Sequence, residues 1–321
     1  MKELFISMLK TDDEIQEYFI VKSVAIKVGA NNKQYLDLLL GDSSGEAPSK
    51  KWDISDGELS AIKDIKDGDI VKVKAIVTSW NGQKQMKIGR IRVINEQDEI
   101  NYIDFIKAAP EDPKEMYDYI YGKASGFVDK DLNALCTKLL TDNKEKLMYY
   151  PAAQKNHHAQ KSGLLYHVKR MLMTGEFVCQ VYTNLNHELV MAGVILHDIE
   201  KLNEIEADEL GMSSGYSFEG QMLGHLIQGV KLIDRVAAEI NIPREKTIMI
   251  EHMILSHHYE PEFGSPKKPL FPEAEILHYL DMIDARMFDM QAALDATEPG
   301  EFSDRVWTLE NRKLYKSSNQ E

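Results

Sequence analysis

Only two cysteines occur in 321 residues, Cys136 and Cys179, and neither sits in a Cys-x-x-Cys pattern. Disulfides therefore have no expected part, and a reducing cytoplasm is the simplest setting. Long apolar runs are missing too. Met1 to Lys10 is apolar for only a few residues and lacks a small-residue cleavage site, and no stretch approaches the length of a membrane span, so no membrane partner is expected. Positive charge is also short: 38 Lys and Arg stand against 52 Asp and Glu, a net charge of −14. A chain this acidic does not coat nucleic acid through a general electrostatic footprint. It can still be a nuclease, because a bound divalent ion reverses the field locally. With 43% hydrophobic and 28% charged residues the chain can bury a real core, and its length suggests two domains of unequal size.

What is present is an apolar stretch, Ala192-Gly-Val-Ile-Leu-His-Asp-Ile-Glu-Lys201, that abruptly offers an imidazole, a carboxylate and an ammonium. Read as a helix, it puts His197, Asp198 and Lys201 on one face. Burying His beside Asp is costly unless the two are paired or bind a cation, which directs attention to further ligands. They recur at wide intervals: His167 in Ser162-Gly-Leu-Leu-Tyr-His-Val168, His225 in Leu223-Gly-His-Leu226, His257 and His258 in Leu255-Ser-His-His-Tyr259, and Asp281 in Leu277-His-Tyr-Leu-Asp-Met-Ile-Asp284. Each lies in an apolar, helix-like segment, which is how the helices of one bundle aim ligands at a common centre. Nitrogen and oxygen donors without a thiolate suit Mn, Fe, Co, Ni or Zn better than Ca or Mg. A hydrogen-bonded core or surface role is commoner than ligation for any single histidine, so the joint pattern carries the reading. His252 and His278 are read as structural, and His187 as a cap or surface residue. Spacing alone gives phosphoester hydrolysis at a metal site.

The first 97 residues have a different rhythm. Strands are expected at Tyr18 to Lys27, Gln34 to Gly41, Lys51 to Ile54, Asp69 to Val77 and Gln85 to Ile94. The turns are Gly29-Ala-Asn-Asn32, Asp42-Ser-Ser-Gly45, Asp67-Gly68 and the hairpin signal Asn81-Gly82. Five short strands with a helical link, Leu59 to Ile65, fit a small OB barrel. Lys84, Lys87, Arg90 and Arg92 are read as alternating on one face of the last strand, with Trp80 and Trp52 as stacking platforms for bases. For these residues one by one an ordinary solvated face is the plainer account, whereas the domain as a whole is read as contacting nucleic acid. Residues 98–125 read as a linker and connecting helix, capped before Pro113. Residues 126–321 read as helices and a C-terminal strap. The loops Glu204 to Tyr216 and Tyr259 to Pro272 follow ligand residues and are expected to reach substrate. Arg305 and Arg312 belong to the strap, with phosphate binding as their other reading. The fold class is therefore multi-domain, a β-barrel followed by an all-α bundle.

The ordered series His167, His197-Asp198, His225, His257-His258, Asp281 resembles the HD-domain metal-dependent phosphohydrolases, in the variant that holds two metals. Pro151-Ala-Ala-Gln-Lys-Asn-His-His158, Ile195-Leu-His-Asp-Ile-Glu-Lys201, Gly224-His225, Ser256-His-His258 and Phe302-Ser-Asp-Arg-Val306 narrow the likeness to the YhaM-type 3′→5′ exoribonucleases of bacteria, over nearly the whole chain. The resemblance implies an N-terminal OB-fold, an HD domain and hydrolysis of single-stranded RNA, with single-stranded DNA as a second substrate, to mononucleotides. It implies two divalent ions, manganese first, with Fe, Co, Ni or Zn as alternatives. His167, His197 and Asp281 would hold one ion, His225, His257 and His258 the other, and Asp198 would bridge. Asp284 is the rival to Asp281, or else orients a ligand. Lys201 would clamp phosphate. His157 and His158 would contact RNA or protonate the leaving 3′ oxygen, against a structural turn. Assembly into a homo-oligomer is left open.

Three other readings stay in view. An HD-type phosphodiesterase could act on a cyclic dinucleotide or nucleotide, although Gly215-Tyr216 is followed by Ser217 where one such branch has proline. A di-iron oxygenase would use a similar helical array. A non-catalytic single-strand-binding adaptor would bind RNA without turnover.

Overall fold

The computed structural model describes residues 2–29, 33–52, 54, 62–80, 83–95, 97–154 and 158–318. They divide into two compact units, 1–108 and 109–321.

The first unit is a closed barrel of β1 (Glu14–Val28), β2 (Gln34–Asp42), β3 (Gly45–Lys51), β4 (Ile70–Trp80) and β5 (Gln83–Val93). The strands run in the order β1-β2-β3-β5-β4, and β4 returns antiparallel to β1. β3 and β5 pair in parallel through Ser49↔Met86 and Lys50↔Lys87. This is OB connectivity. Alternate residues point inward, so Phe19, Val21, Leu36, Leu38, Leu40, Val71, Val73, Val77, Met86 and Ile88 fill the interior. Each such side chain contributes about 1.5–3 kcal/mol over leaving it exposed.

Two expectations change here. The third strand is Gly45–Lys51, not Lys51 to Ile54. It has no β-branched residue and contains Pro48, which propensity rules demote. Pro48 is tolerated because β3 pairs with β5 only from Ser49 onward, so no partner on that side needs its missing N–H. The face of β5 also differs. A bulge at Gly89 resets the alternation, since Ala75 pairs with Ile88 and Lys74 with Arg90. Lys87, Arg90 and Arg92 therefore share the outer face with Lys72 and Lys74, whereas Lys84 falls on the inward parity opposite Ser79. The Asn81-Gly82 turn and residues 59–61 of the helical link lie outside the described residues.

The second unit contains α1 (Pro113–Ser125), α2 (Lys130–Asp142), α3 (Lys144–Leu147), α4 (Gly163–Val181), α5 (His187–Leu196) and α6 (Lys201–Glu204). A small hairpin follows, β6 (Ile205–Ala207) and β7 (Ser213–Tyr216), then α7 (Phe218–Glu239), α8 (Arg244–Ser256) and α9 (Pro272–Asp295). The expected linker 98–125 is split between the units. Residues 98–108 go with the barrel, and α1 supplies Met116, Tyr117, Ile120 and Ala124 to the helical core. The central element is α5, buried at every residue from Leu189 to Leu196. A helix apolar all round has to be enclosed by others, and α1, α2, α4, α8 and α9 pack around it. Gly193 permits this: a Cβ there would sit 2.2 Å from the Met253 methyl on α8. Among the described residues no helix is long and apolar enough to cross a membrane. The strap after α9 is held by bridges Phe302↔Tyr315 and Val306↔Arg312. Arg305 donates to Asn311 O and Arg312 to Leu309 O, so both guanidiniums are used within the strap.

Candidate metal centre

Two of the histidines expected as ligands stand where helices end. The last carbonyls of an α-helix lack intrahelical donors. His197, just past α5, offers Nδ1 to Val194 O at 2.9 Å, and His257, just past α8, offers Nδ1 to Ile254 O at 2.8 Å. Each imidazole thereby satisfies a helix end and turns its Nε2 inward. The expected continuous helix through Lys201 is replaced by tight turns from His197 to Glu200, in which Lys201 N bonds Asp198 O. Lys201 still meets Asp198 through side chains, Nζ to Oδ2, at 2.6 Å.

Around Asp198 the expected set converges. His197 Nε2 and His167 Nε2 lie 3.2 and 3.8 Å from its Oδ2, while His225 Nε2 and His257 Nε2 lie 3.4 and 3.8 Å from its Oδ1. Asp281 Oδ1 is 3.3 Å from His167 Nε2. Two groupings have the spacing of metal donors: His167 with His197 and Asp198, and His225 with His257 and His258. A third, His158 with His167 and Asp284, meets the same distances, but we assign it to hydrogen bonding. Asp284 already accepts from His158 Nε2 and His167 Nδ1, both at 2.7 Å, and from Arg170 Nε at 2.5 Å. A guanidinium on the carboxylate opposes a second cation there. Asp284 is thus the orienting partner behind His167, and Asp281 faces the centre.

The donor set fits divalent ions. His197 Nε2, His225 Nε2, His257 Nε2 and Asp198 Oδ1 are buried without a hydrogen-bond partner among the described residues, a condition that is costly unless a cation fills it. Burial would raise the Asp198 carboxyl, but His197 and Lys201 beside it hold it well below the usual carboxylate range. Burial pushes the His257 imidazole well down and His258 adds to this, so the ring is neutral, as a metal donor has to be. His167 is the reverse: burial lowers it, yet Asp281 and Asp284 bring it up to about 9, marking a spot that favours positive charge. For Lys201 burial lowers the ammonium but Asp198 and Asp281 more than offset this, so it stays charged.

The remaining expected residues are less uniform. His158 is fully buried, takes φ of 55°, and has its ring 4.0 Å from that of Phe288. It backs Asp284 and has no surface to offer RNA, which corrects its reading as an RNA contact. His157 and the side chain of Trp80 lie outside the described residues. Lys87 and Arg90 are exposed on the barrel, while Arg92 is engaged bidentately by Asp98 at 2.6 and 2.7 Å. Trp52 stacks on Tyr35 with ring centroids 4.3 Å apart. His252 and His278 bond backbone groups, as structural residues do.

One residue was not foreseen. Glu204, at the end of α6, accepts from both His225 N and His225 Nδ1, at 3.0 and 2.9 Å. Its place in a stretch read as a substrate loop hid it. The available signal was Gly224, whose φ of 67° breaks α7 and leaves the next N–H without a helical acceptor.

The family comparison agrees with the helical unit. An HD domain family model matches residues 164–286 and implies divalent metal binding. A solved domain of replication protein A from Methanococcus maripaludis is similar to 30% of this chain and 98% of that one, at 23% identity and a TM-score of 0.24. The 3'-5' exoribonuclease YhaM of Geobacillus sp. (strain WCH70) is 38% identical over 304 residues, 95% of this chain and 92% of the relative. That of Bacillus subtilis (strain 168) is 37% identical over 311 residues, 97% of each chain. With such identity running the length of both proteins, this chain belongs to the YhaM family of 3′-5′ exoribonucleases.

Proposed function

We propose that this protein is a metal-dependent 3′→5′ exonuclease that shortens single-stranded RNA to mononucleotides, with single-stranded DNA as a second substrate. The observation that carries the reading is Asp198, one buried carboxylate whose two oxygens face two different histidine sets. His167, His197 and Asp281 would hold one divalent ion and His225, His257 and His258 the other, with Asp198 shared between them; manganese is the first candidate, with Fe, Co, Ni or Zn behind it. When bound, such a pair activates a water and neutralises charge on the attacked phosphodiester. Lys201, partly exposed beside Asp198, keeps that carboxylate aimed and presents its ammonium to a non-bridging phosphate oxygen. Asp284 and His158 behind it position the His167 ring. On the barrel, Lys87 and Arg90 track the phosphates of the strand.

The test is a time course on 5′-labelled single-stranded RNA with Mn²⁺, with chelator, and with Asp198→Ala. A ladder shortening from the 3′ end only with metal and only in the intact protein supports the reading. Intact RNA in every lane, with the strand still retarded in a gel, replaces it by the adaptor. Intact RNA with hydrolysis of a cyclic dinucleotide replaces it by the phosphodiesterase.

A further inference from the structure

An imidazole ligates a metal through a bare ring nitrogen, so whatever holds the other nitrogen decides whether it can ligate. In three of the five centre histidines that partner is a backbone carbonyl: Val194 O for His197, Ile254 O for His257 and Phe263 O for His258. A carbonyl only accepts, so Nδ1 carries the hydrogen and Nε2 is bare. For His167 and His225 the partner is a carboxylate. Asp284, behind His167, is shared with His158 and Arg170. Glu204 serves His225 with both oxygens, Oε1 taking the backbone N–H and Oε2 taking Nδ1.

We infer that Glu204 is a positioning residue that, by accepting both N–H groups of His225, locks the imidazole in its Nδ1–H form and reserves Nε2 for the ion at the His225–His257–His258 set. This rests on the two-ion reading above. The kink makes the arrangement necessary. Gly224 breaks the helix (φ 67°, ψ 163°), so the His225 N–H starts a new helical stretch and takes its acceptor from a segment 21 residues earlier in the chain.

The isosteric change Glu204→Gln separates this role from simple capping. A carboxamide has one accepting oxygen and one donating NH₂. The backbone N–H cannot become an acceptor, so the oxygen has to serve it. The NH₂ then faces Nδ1 and drives the imidazole to the Nε2–H form, which cannot ligate. Glu204→Ala lets the ring choose either form but strips the helix start of its acceptor. The lock therefore predicts that the glutamine variant binds the second ion more weakly than the alanine variant while being the more stable of the two without metal. A mere cap predicts the same order for both properties.

The experiment counts Mn²⁺ bound per full-length chain by equilibrium dialysis, in the wild type, Glu204→Gln, Glu204→Ala and His225→Ala, with melting curves taken in chelator. Expected for Glu204→Gln is one ion held as in the wild type and a second weakened by roughly 10–100-fold, the usual effect of losing such a partner. Two ions at wild-type affinity in Glu204→Gln overturn the inference. If His225→Ala also keeps both ions, the two-ion reading itself has failed; if His225→Ala loses one and Glu204→Gln loses none, only the role of Glu204 has. A readout on the wild type does not depend on any variant folding: ¹⁵N shifts of the metal-free protein report which ring nitrogen of His225 bears hydrogen. Nδ1–H is expected, and Nε2–H overturns the inference.

Discussion

On the barrel, Lys74, Lys87 and Arg90 stand in solvent on the outer face of β4 and β5, whereas in the helical unit His167, His197, Asp198 and His257 are each no more than 1% exposed and touch one another. Exposed charges are screened and act nearly independently, each pair worth about 0–1 kcal/mol. Buried polar atoms act as a unit, because a partner withdrawn leaves the rest unsatisfied at a cost of about 1–3 kcal/mol each. The barrel should therefore lose function by degrees and the metal centre all at once.

The sharpest break of that contrast is Asp198→Ala. It removes the carboxylate that faces both histidine sets and leaves the Lys201 ammonium beside them. Turnover of single-stranded RNA is expected to fall by on the order of 10³-fold or more, and bound manganese to drop by both ions rather than one. Retention of either ion at wild-type affinity would show that Asp198 does not join the sets.

Next in size is Lys201→Ala. Its ammonium lies on Asp198 Oδ2 at 2.6 Å, and the loss of one donor to a phosphate oxygen costs roughly 10²–10³-fold in turnover. Metal content should stay near that of the wild type. A large rise in KM with unchanged turnover would reassign Lys201 to uniform substrate binding.

Smaller still is Lys87→Glu with Arg90→Glu on the barrel. The loss should appear mainly in KM and soften with salt. For a single strand, every phosphate that the protein ceases to neutralise lowers the slope of log affinity against log salt by about 0.7. Arg92→Ala is the control that refines the comparison. Its guanidinium is bound by Asp98, whose carboxyl it holds well below the usual range, so that change should lower the melting temperature of the barrel more than it alters the salt slope. A salt slope unchanged in the double variant would remove this face from RNA binding.

The same contrast explains which parts could be read from the sequence. His167, His197, Asp198, His225, His257, His258 and Asp281 stood out because each is a polar residue in an apolar stretch, and only a common centre makes that affordable. Asp284 was legible as an orienting group because it follows Asp281 by three residues, close enough on a helix to reach the back of the same ligand. Glu204 was not, because its partner is brought to it by the β6–β7 hairpin and the break at Gly224. In the barrel, the strands rich in Val, Ile and Leu were legible, while β3 owes its existence to neighbours on both sides rather than to its own residues. Lys84 and Lys87, three residues apart, fall on opposite faces by simple alternation, and Gly89 in mid-strand was the available sign of the bulge that brings Arg90 and Arg92 onto the face of Lys87. His158 was misplaced because nothing local shows that its ring turns inward to Asp284.

The smallest expected effect lies with a histidine outside the centre. The five centre histidines engage acceptors through Nδ1, whereas His252 uses a bare Nε2 to accept the Leu270 N–H at 3.0 Å. Burial pushes the His252 imidazole below its ordinary value. The contribution to stability is then fully present above the unfolded pKa of about 6.5 and is lost as pH falls through that value towards the lower folded one. Protonation turns the acceptor into a donor facing another donor, so the Leu270 end of the 259–271 segment should loosen first. Amide exchange at Leu270 measured from pH 7.5 to 5 is expected to accelerate beyond the intrinsic trend, and His252→Gln, which can still accept through its amide oxygen, should flatten that dependence. Equal pH slopes in the two proteins would place the acid sensitivity of this segment elsewhere.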